Sequence, residues 1–390
     1  MYYAGAAPMV KSGKYACKRE LVLKSKECID TILQPLTKYI EIPINGILTS
    51  RDLFLAIVGM SVKNLSVHSA SSGYEKTPCE TSMRYHLNKL DLEDLISANE
   101  KIMTHSPGNF LKSGRRYRFA IDYTNDPYYG STNKSNKDYV IKSKAKKSTN
   151  SFYSYISLYI INKNQRFTIS VLPVSNEISK EQYLDYFITM IDRMGFGIEV
   201  LCLDREFYTR EVFDFLQCCE IPHIIPVVER GAKIKEILKG RKQRFADYSM
   251  NLYGRNIPLR ISVDVKYMMS KRGKNGAKNL AFVVYGVNWS QRMISNVYRT
   301  RFAIESSYRM RNVVKPKTST KDVKIRYLYA LISFLMRNVW LCLQKKHFTY
   351  IKQGPPVVEE DSFRFDKFII LVDEWIRNKL KVRTYVECIR

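Results

Sequence analysis

Between residues 117 and 227, short apolar runs typical of β-strands alternate with segments of helical periodicity. The predicted strands lie at 118–123, 152–161, 166–174, 199–203 and 223–227. The predicted helices lie at 178–194 and 209–219, and the polar residues 162–165 are predicted to form a hairpin turn. The order β-β-β-α-β-α-β predicts an α/β fold in which helices cover a mixed sheet.

Two of these strands end in an aspartate. Asp122 follows Phe119-Ala120-Ile121, and Asp204 follows Val200-Leu201-Cys202-Leu203. Open α/β sheets bind ligands at the carboxyl ends of their strands, so both residues are candidate ligands for a metal. A strand-end aspartate is also a common turn or cap residue. We interpret Asp126, just before Pro127, as such a turn residue, although it competes with Asp122 for the ligand role.

A third carboxylate, Glu305, lies in a segment predicted to be helical. Tyr298, Arg301 and Glu305 are spaced by three and then four residues, so a helix places them in one stripe, which Arg309 continues. An adjoining apolar stripe, predicted to pack on the sheet, contains Val297, Ile304 and Tyr308. Taken alone, the polar stripe would equally suit an exposed helix with ion pairs. Beside Asp122 and Asp204, we interpret Glu305 as a metal ligand and its neighbours as phosphate contacts.

The chain is strongly basic, with 64 Lys and Arg against 37 Asp and Glu and a net charge of +27 over 390 residues. Such an excess favours polyanions, because bound cations release counterions from phosphates. The basic runs precede Asp122, follow it, fill 233–244 and surround Glu305. One run alone would be an ordinary solvated face. Three carboxylates among several basic runs predict DNA as partner and Mg²⁺ as cofactor, with Mn²⁺ expected to substitute.

Other classes of protein fit the sequence poorly. The eight cysteines are scattered without a C-x-x-C pair, and the five histidines have no ligand spacing, which argues against a disulfide scaffold and against zinc chemistry. We expect reduced thiols and a cytoplasmic, nucleoid-associated protein. The first residues lack the apolar core of a signal peptide. The apolar run at 327–336 is too short to span a bilayer and predicts a buried helix, so no membrane partner is expected.

The pattern divides the chain into five regions. These are a helical, DNA-binding region at 1–110, a catalytic core at 111–228, a basic β-rich insertion at 229–290, the rest of the core with the Glu305 helix at 291–345, and a tail at 346–390 with an amphipathic helix near 365–381. In the first region, residues 81–90 have the small polar start and basic middle of a DNA-recognition helix. Many capped surface helices look the same.

The three acidic motifs together resemble those of cut-and-paste insertion-sequence DDE transposases. Tyr298-x2-Arg301-x3-Glu305 is similar to the first part of their Tyr-x2-Arg-x3-Glu-x6-Lys signature. Residues 119–130 resemble the first-Asp motif of the archaeal branch, and 203–208 resemble the second-Asp motif. Asn312 stands where the signature has Lys, and Arg309 and Arg311 lie beside it as possible substitutes.

The resemblance implies a ribonuclease-H-like core, and Asp122, Asp204 and Glu305 as catalytic ligands of Mg²⁺. It implies nicking at element ends, then attack of the freed 3′-hydroxyl on target DNA, in a synaptic complex that is expected to hold a homodimer. The implied DNA contacts are Tyr298, Arg301, Arg309, Arg311, Lys315 and, as a base-stacking residue, Trp289. Two alternatives stay open: a metal-dependent nuclease that does not join strands, and a catalytically silent DNA-binding protein derived from a transposase.

Overall fold

The computed structural model describes residues 22–44, 46–268, 276–350 and 357–385. The strands are β1 (Arg116–Pro127), β2 (Val140–Lys146), β3 (Thr149–Ile160), β4 (Thr168–Pro173), β5 (Gly197–Leu203), β6 (His223–Pro226), β7 (Arg244–Leu252), β8 (Arg255–Met268), β9 (Gly276–Tyr285), β10 (Thr349–Tyr350) and β11 (Val357–Val358). Within the described residues, the first nine strands form one sheet in the order β2-β3-β1-β5-β6-β9-β8-β7, with β4 paired to β3. β10 and β11 form a separate two-stranded ribbon.

The sheet is mixed, as predicted. β1 runs parallel to β5 and antiparallel to β3, and β5 runs parallel to β6. All five strands predicted up to residue 227 are present, and β3 and β4 form the expected hairpin. β2 was not predicted, because its sequence VIKSKAK is largely exposed and lacks an apolar face. Hydrogen bonds to β3, rather than burial, hold it at the sheet edge.

Helices cover both faces of this sheet. They are α1 (Ser25–Tyr39), α2 (Ser50–Lys63), α3 (Val67–Gly73), α4 (Glu80–Asn88), α5 (Leu92–Thr104), α6 (Lys180–Arg193), α7 (Arg210–Cys218), α8 (Ala232–Ile237), α9 (Gln291–Thr300), α10 (Phe302–Val313), α11 (Val323–His347) and α12 (Phe365–Leu380), with short 3₁₀ turns at Pro107–Phe110, Lys137–Tyr139 and Arg205–Phe207. Side chains alternate along β1: Phe119 and Ile121 pack with α6 and α7, whereas Ala120 packs with α11. Two hydrophobic cores therefore lie on opposite faces of one sheet.

Helix α11 is almost entirely buried and contains the apolar run 327–336, which confirms the prediction of a core helix. Helices α1, α2 and α5 pack around it, and α12 packs on α1 and α2. The predicted amphipathic tail helix is present as α12, and residues 81–88 of the helix predicted at 81–90 lie in α4. The DNA-reading role of α4 stays a prediction.

The basic block after β6 does not form a separate sheet. β9 pairs antiparallel with β6, and β8 and β7 follow in turn. The three strands therefore continue the core sheet beyond β6. β7 was not predicted, because its burial alternates only between intermediate and exposed.

The six cysteines in the described ranges are free thiols. In the same ranges, no single helix is long and apolar enough to cross a membrane, and α2 with α3 qualifies only as a pair bent by 102°.

Candidate active site

The two strand-end aspartates meet at the carboxyl edge of the sheet. Ile121 of β1 lies opposite Leu203 of the parallel strand β5, so Asp122 and Asp204 follow at neighbouring positions. Asp122 is still inside β1, which continues to Pro127, whereas Asp204 leaves its strand and begins the 3₁₀ turn Arg205–Phe207. Accordingly, the Asp122 side chain is 12% exposed and that of Asp204 is 35% exposed.

Helices α9 and α10 meet at Arg301 and bring Glu305 to this edge. Two tyrosine hydroxyls fix them there: Tyr298 donates to the Leu203 carbonyl at 3.2 Å, and Tyr308 donates to the Asp122 carbonyl at 2.8 Å. Tyr308 also contacts the Ser157 hydroxyl on β3 at 2.8 Å. The apolar stripe of Val297, Ile304 and Tyr308 is buried as predicted. The positioning role of the Tyr308 hydroxyl was not predicted, since its spacing marked it only as a core residue.

The Arg301 guanidinium lies between the three carboxylates. Its Nη1 is 2.8 Å from Asp122 Oδ2, and its Nη2 is 3.1 Å from Glu305 Oε1 and 3.7 Å from Asp204 Oδ1. The Arg301 side chain is only 5% exposed, whereas that of Glu305 is 48% exposed. The structure therefore brings the predicted triad together around one buried positive charge. Arg301 offsets part of the negative charge of the triad here, rather than pointing towards solvent.

The surroundings of Asp122 disfavour the ionised form of its carboxyl group. Burial raises the pKa of the Asp122 carboxyl to about 7, and Asp204 adds to the rise, while Arg301 opposes both. A cation of higher charge at this edge would reverse that balance, since opposite charge favours the ionised form. A bound cation would therefore favour the ionised form of Asp122.

The donor set suits Mg²⁺ in its chemistry, because all three groups supply carboxylate oxygens to a hard cation. In the described part of the chain, however, no three His, Cys, Asp or Glu side chains converge closely enough to hold a metal ion. Arg301 fills the space between the carboxylates. The three carboxylates therefore suit a cation by their chemistry but not by their present positions, and binding requires that the guanidinium give way to it.

Asp126 is not the turn residue that its Pro127 neighbour predicted. It lies within β1 and is buried, and its carboxylate contacts Arg311 Nη2 at 2.6 Å and Lys315 Nζ at 2.9 Å. Burial alone would raise the pKa of Asp126, but Arg311 and Lys315 outweigh it and lower the pKa. The Arg311 side chain is fully buried and also lies over the rings of Tyr155 and Phe334. Asp126 is therefore a structural ion-pair partner that joins α10 to β1.

Three of the predicted DNA contacts, Tyr298, Arg301 and Arg311, have little exposed surface in this arrangement, and their DNA-binding roles stay predictions. Arg311 and Tyr298 have almost no exposed surface, since one is paired with Asp126 and the other is packed on Phe282. Lys315 is partly exposed but is held by Asp126. Arg309 is exposed on α10, so of the two basic residues beside Asn312 it is the one at the surface. The DNA-binding role of Arg309 stays a prediction.

The Trp289 ring lies beside Arg118, near the start of β1. The Arg118 guanidinium is 5.4 Å from the Trp289 ring and pairs with Glu199 at 2.7 Å. Arg118 and Glu199 are at the amino-terminal ends of β1 and β5, and four residues of strand, about 13 Å, separate Arg118 from Asp122. Its position therefore gives no support to the base-stacking role predicted for Trp289.

The chain matches no protein-family model and no curated protein. In structure it is similar to a piggyBac transposase determined by cryo-electron microscopy as a synaptic complex with hairpin DNA. The TM-score is 0.52 at 14% sequence identity, and the match covers 93% of this chain and 83% of that chain. At this identity the likeness establishes the fold. The prediction of an α/β chain folded like a transposase is confirmed at that level.

Proposed function

We propose that this chain is a DNA transposase of the DDE type that cuts the ends of an insertion element and joins them to target DNA. The observation that carries the proposal is the convergence of Asp122, Asp204 and Glu305 at one sheet edge, around the buried Arg301. The transposase-like fold and the net charge of +27 support it. The finer assignments proposed with it are a ribonuclease-H-like core, the Tyr-x2-Arg-x3-Glu group, an archaeal-type branch, a homodimeric synaptic complex and action on cytoplasmic DNA.

Asp122, Asp204 and Glu305 would hold Mg²⁺ in this proposal, with Mn²⁺ as a substitute. A bound metal pair would activate the attacking oxygen and stabilise the leaving oxygen of a phosphodiester. The chain itself contributes positioning. The Tyr298 and Tyr308 hydroxyls fix the helices against the backbone of the two aspartate-bearing strands, so the carboxylates keep their relation to one another. Arg301 offsets part of the negative charge of the carboxylates.

In this proposal, exposed basic side chains bind the DNA phosphates beside the triad. Arg309 lies one helical turn after Glu305 and is exposed, so it can contact the DNA backbone next to the cut. Retaining the cut strand matters because a held 3′-hydroxyl is positioned for a second in-line attack. A nuclease without strand joining would gain nothing from that retention.

The test is an assay for joined products. Purified protein, Mg²⁺ and DNA with the ends of the element that encodes this chain should give both nicks and end–target joints. Glu305→Gln should abolish both, whereas Glu374→Gln, which changes another exposed helical glutamate, should leave both unchanged. Nicks without joints, where a known transposase joins under the same conditions, would favour the nuclease.

The catalytically silent alternative has one observation in its favour. Arg301 contacts all three carboxylates, and a guanidinium that never leaves would exclude the metal. Mn²⁺ binding to the protein, followed by electron paramagnetic resonance, separates the cases. Binding that Glu305→Gln weakens and Glu374→Gln leaves intact supports the enzyme, and absence of binding supports the silent protein.

A further inference from the structure

Residues 238–242, with the sequence Leu-Lys-Gly-Arg-Lys, form a loop between α8 and β7 that we call the basic loop. It has no helix or strand of its own, yet its backbone is held at every residue. Three side chains from neighbouring elements donate to six consecutive carbonyl groups. Arg244 bonds the carbonyls of Ile237, Lys239 and Lys242, Asn279 bonds those of Leu238 and Gly240, and Tyr267 bonds that of Arg241.

These bonds determine what the loop presents to solvent. The carbonyl oxygens, which carry the negative end of each peptide dipole, are turned towards Arg244 and the side chains of β8 and β9. The charged side chains of Lys239, Arg241 and Lys242 are exposed. The outer surface is therefore positive and already ordered, so an anion that binds there loses little additional chain entropy.

A simple solvated run of cations does not account for this arrangement, since it needs no fixed backbone. Neighbouring acids cancel only part of the charge. Glu236 pairs with Lys239 at 2.5 Å, and Asp264 accepts a hydrogen bond from Gln243 at 2.5 Å. Arg241 and Lys242 are therefore the main charges that the loop offers to a partner.

The strand directions place the basic loop on the same side of the sheet as the triad. β5 and β6 run parallel, so Asp204 and the end of β6 mark one edge, and β9, β8 and β7 alternate in direction from there. The loop precedes the first residue of β7, which therefore starts at that same edge. Four strand spacings, about 19 Å, separate the start of β7 from β5 across the sheet.

We infer that the basic loop binds the phosphate backbone of the same DNA duplex whose strand is cut at the triad. This inference rests on the proposed function. Each strand of a duplex places one phosphate about every 3.4 Å along the helix axis, so the loop would contact the backbone roughly five to six base pairs from the cut. It adds no base readout, because backbone contacts set register and affinity rather than sequence.

The test compares two triple variants of the full chain. One carries Lys239→Ala, Arg241→Ala and Lys242→Ala. The matched control removes three exposed cations of α12, with Lys367→Ala, Arg377→Ala and Lys379→Ala. Duplex DNA binding is measured by fluorescence anisotropy over a series of KCl concentrations. Each lost phosphate contact reduces the slope of log K against log salt by about 0.9.

For the loop variant, the slope of log K against log salt should be smaller in magnitude by about two to three. Its affinity near 0.15 M KCl should be about tenfold to a hundredfold weaker than that of the wild type. The control should keep the wild-type slope. Asn279→Ala frees two loop carbonyls without changing charge, so it should weaken binding while keeping the slope. Equal slopes for the loop variant and the control would overturn the inference. Because the readout is binding, a wild-type protein that binds through the loop but never cuts would refute only the proposed enzyme.

Discussion

Asp126 and Arg311 form an ion pair inside the protein, and breaking it should lower the free energy of unfolding. In Asp126→Asn, the Arg311 charge stays buried without its carboxylate, and Arg311 cannot release its proton. Lys315 can lose its proton or contact water, because it is partly exposed and its pKa is lowered by burial. The cost therefore falls on Arg311, and leaving one buried charge uncompensated costs about 3–5 kcal/mol.

Urea unfolding followed by circular dichroism measures this loss. Asp366→Asn, on the exposed face of α12, serves as the control and should change stability by less than about 0.5 kcal/mol. The double variant with Arg311→Met should recover most of the loss, since replacing a whole buried pair by apolar groups is often neutral. A loss below about 1 kcal/mol for Asp126→Asn would refute the reasoning. Normal stability with lost cleavage would move the ligand role to Asp126.

The same pair predicts a pH dependence. Arg311 and Lys315 hold the pKa of Asp126 below its ordinary value of 3.8 despite burial. Its contribution is therefore fully present above the unfolded value and is lost as pH falls through the lower folded value. The difference in stability between wild type and Asp126→Asn should be constant from pH 5 upwards, and it should shrink only in the acid limb of an unfolding series.

Three further predictions concern the site and its charge. Asp122→Asn, Asp204→Asn and Glu305→Gln should each reduce Mg²⁺-dependent cleavage by about a hundredfold or more while gel shifts show end binding nearly intact; near wild-type cleavage by Glu305→Gln would contradict the triad. DNA affinity should fall steeply as salt rises, and a flat dependence would contradict a phosphate-binding surface. Arg301→Ala should tighten Mn²⁺ binding by about tenfold, because a competing charge is removed; weaker binding in a calorimetric titration would show that Arg301 supports the metal instead.

The sequence determined the first five predicted strands of the sheet and the two aspartates at the ends of their apolar runs. Apolar runs with an aspartate at the end, in parallel strands, put Asp122 and Asp204 at one edge whatever the packing details, because parallel strands share their direction. The buried stripe of α9 and α10 was likewise readable, since helical spacing places Val297, Ile304 and Tyr308 on one face. Both inferences rest on the local spacing of apolar and polar residues, which can be read directly from the sequence.

Tertiary structure alone decided which charges are free. Arg309 and Arg311 are two residues apart in one basic run, yet one is exposed and the other is buried against Asp126, because successive helical positions face different sides. Asp122 and Asp126 are four residues apart in one strand, yet Asp122 meets Arg301 and Asp126 meets Arg311. The composition gives only the number of charged residues. Each of these aspartates pairs with an arginine about 180 residues away in the sequence, and only the packed fold brings the two segments together.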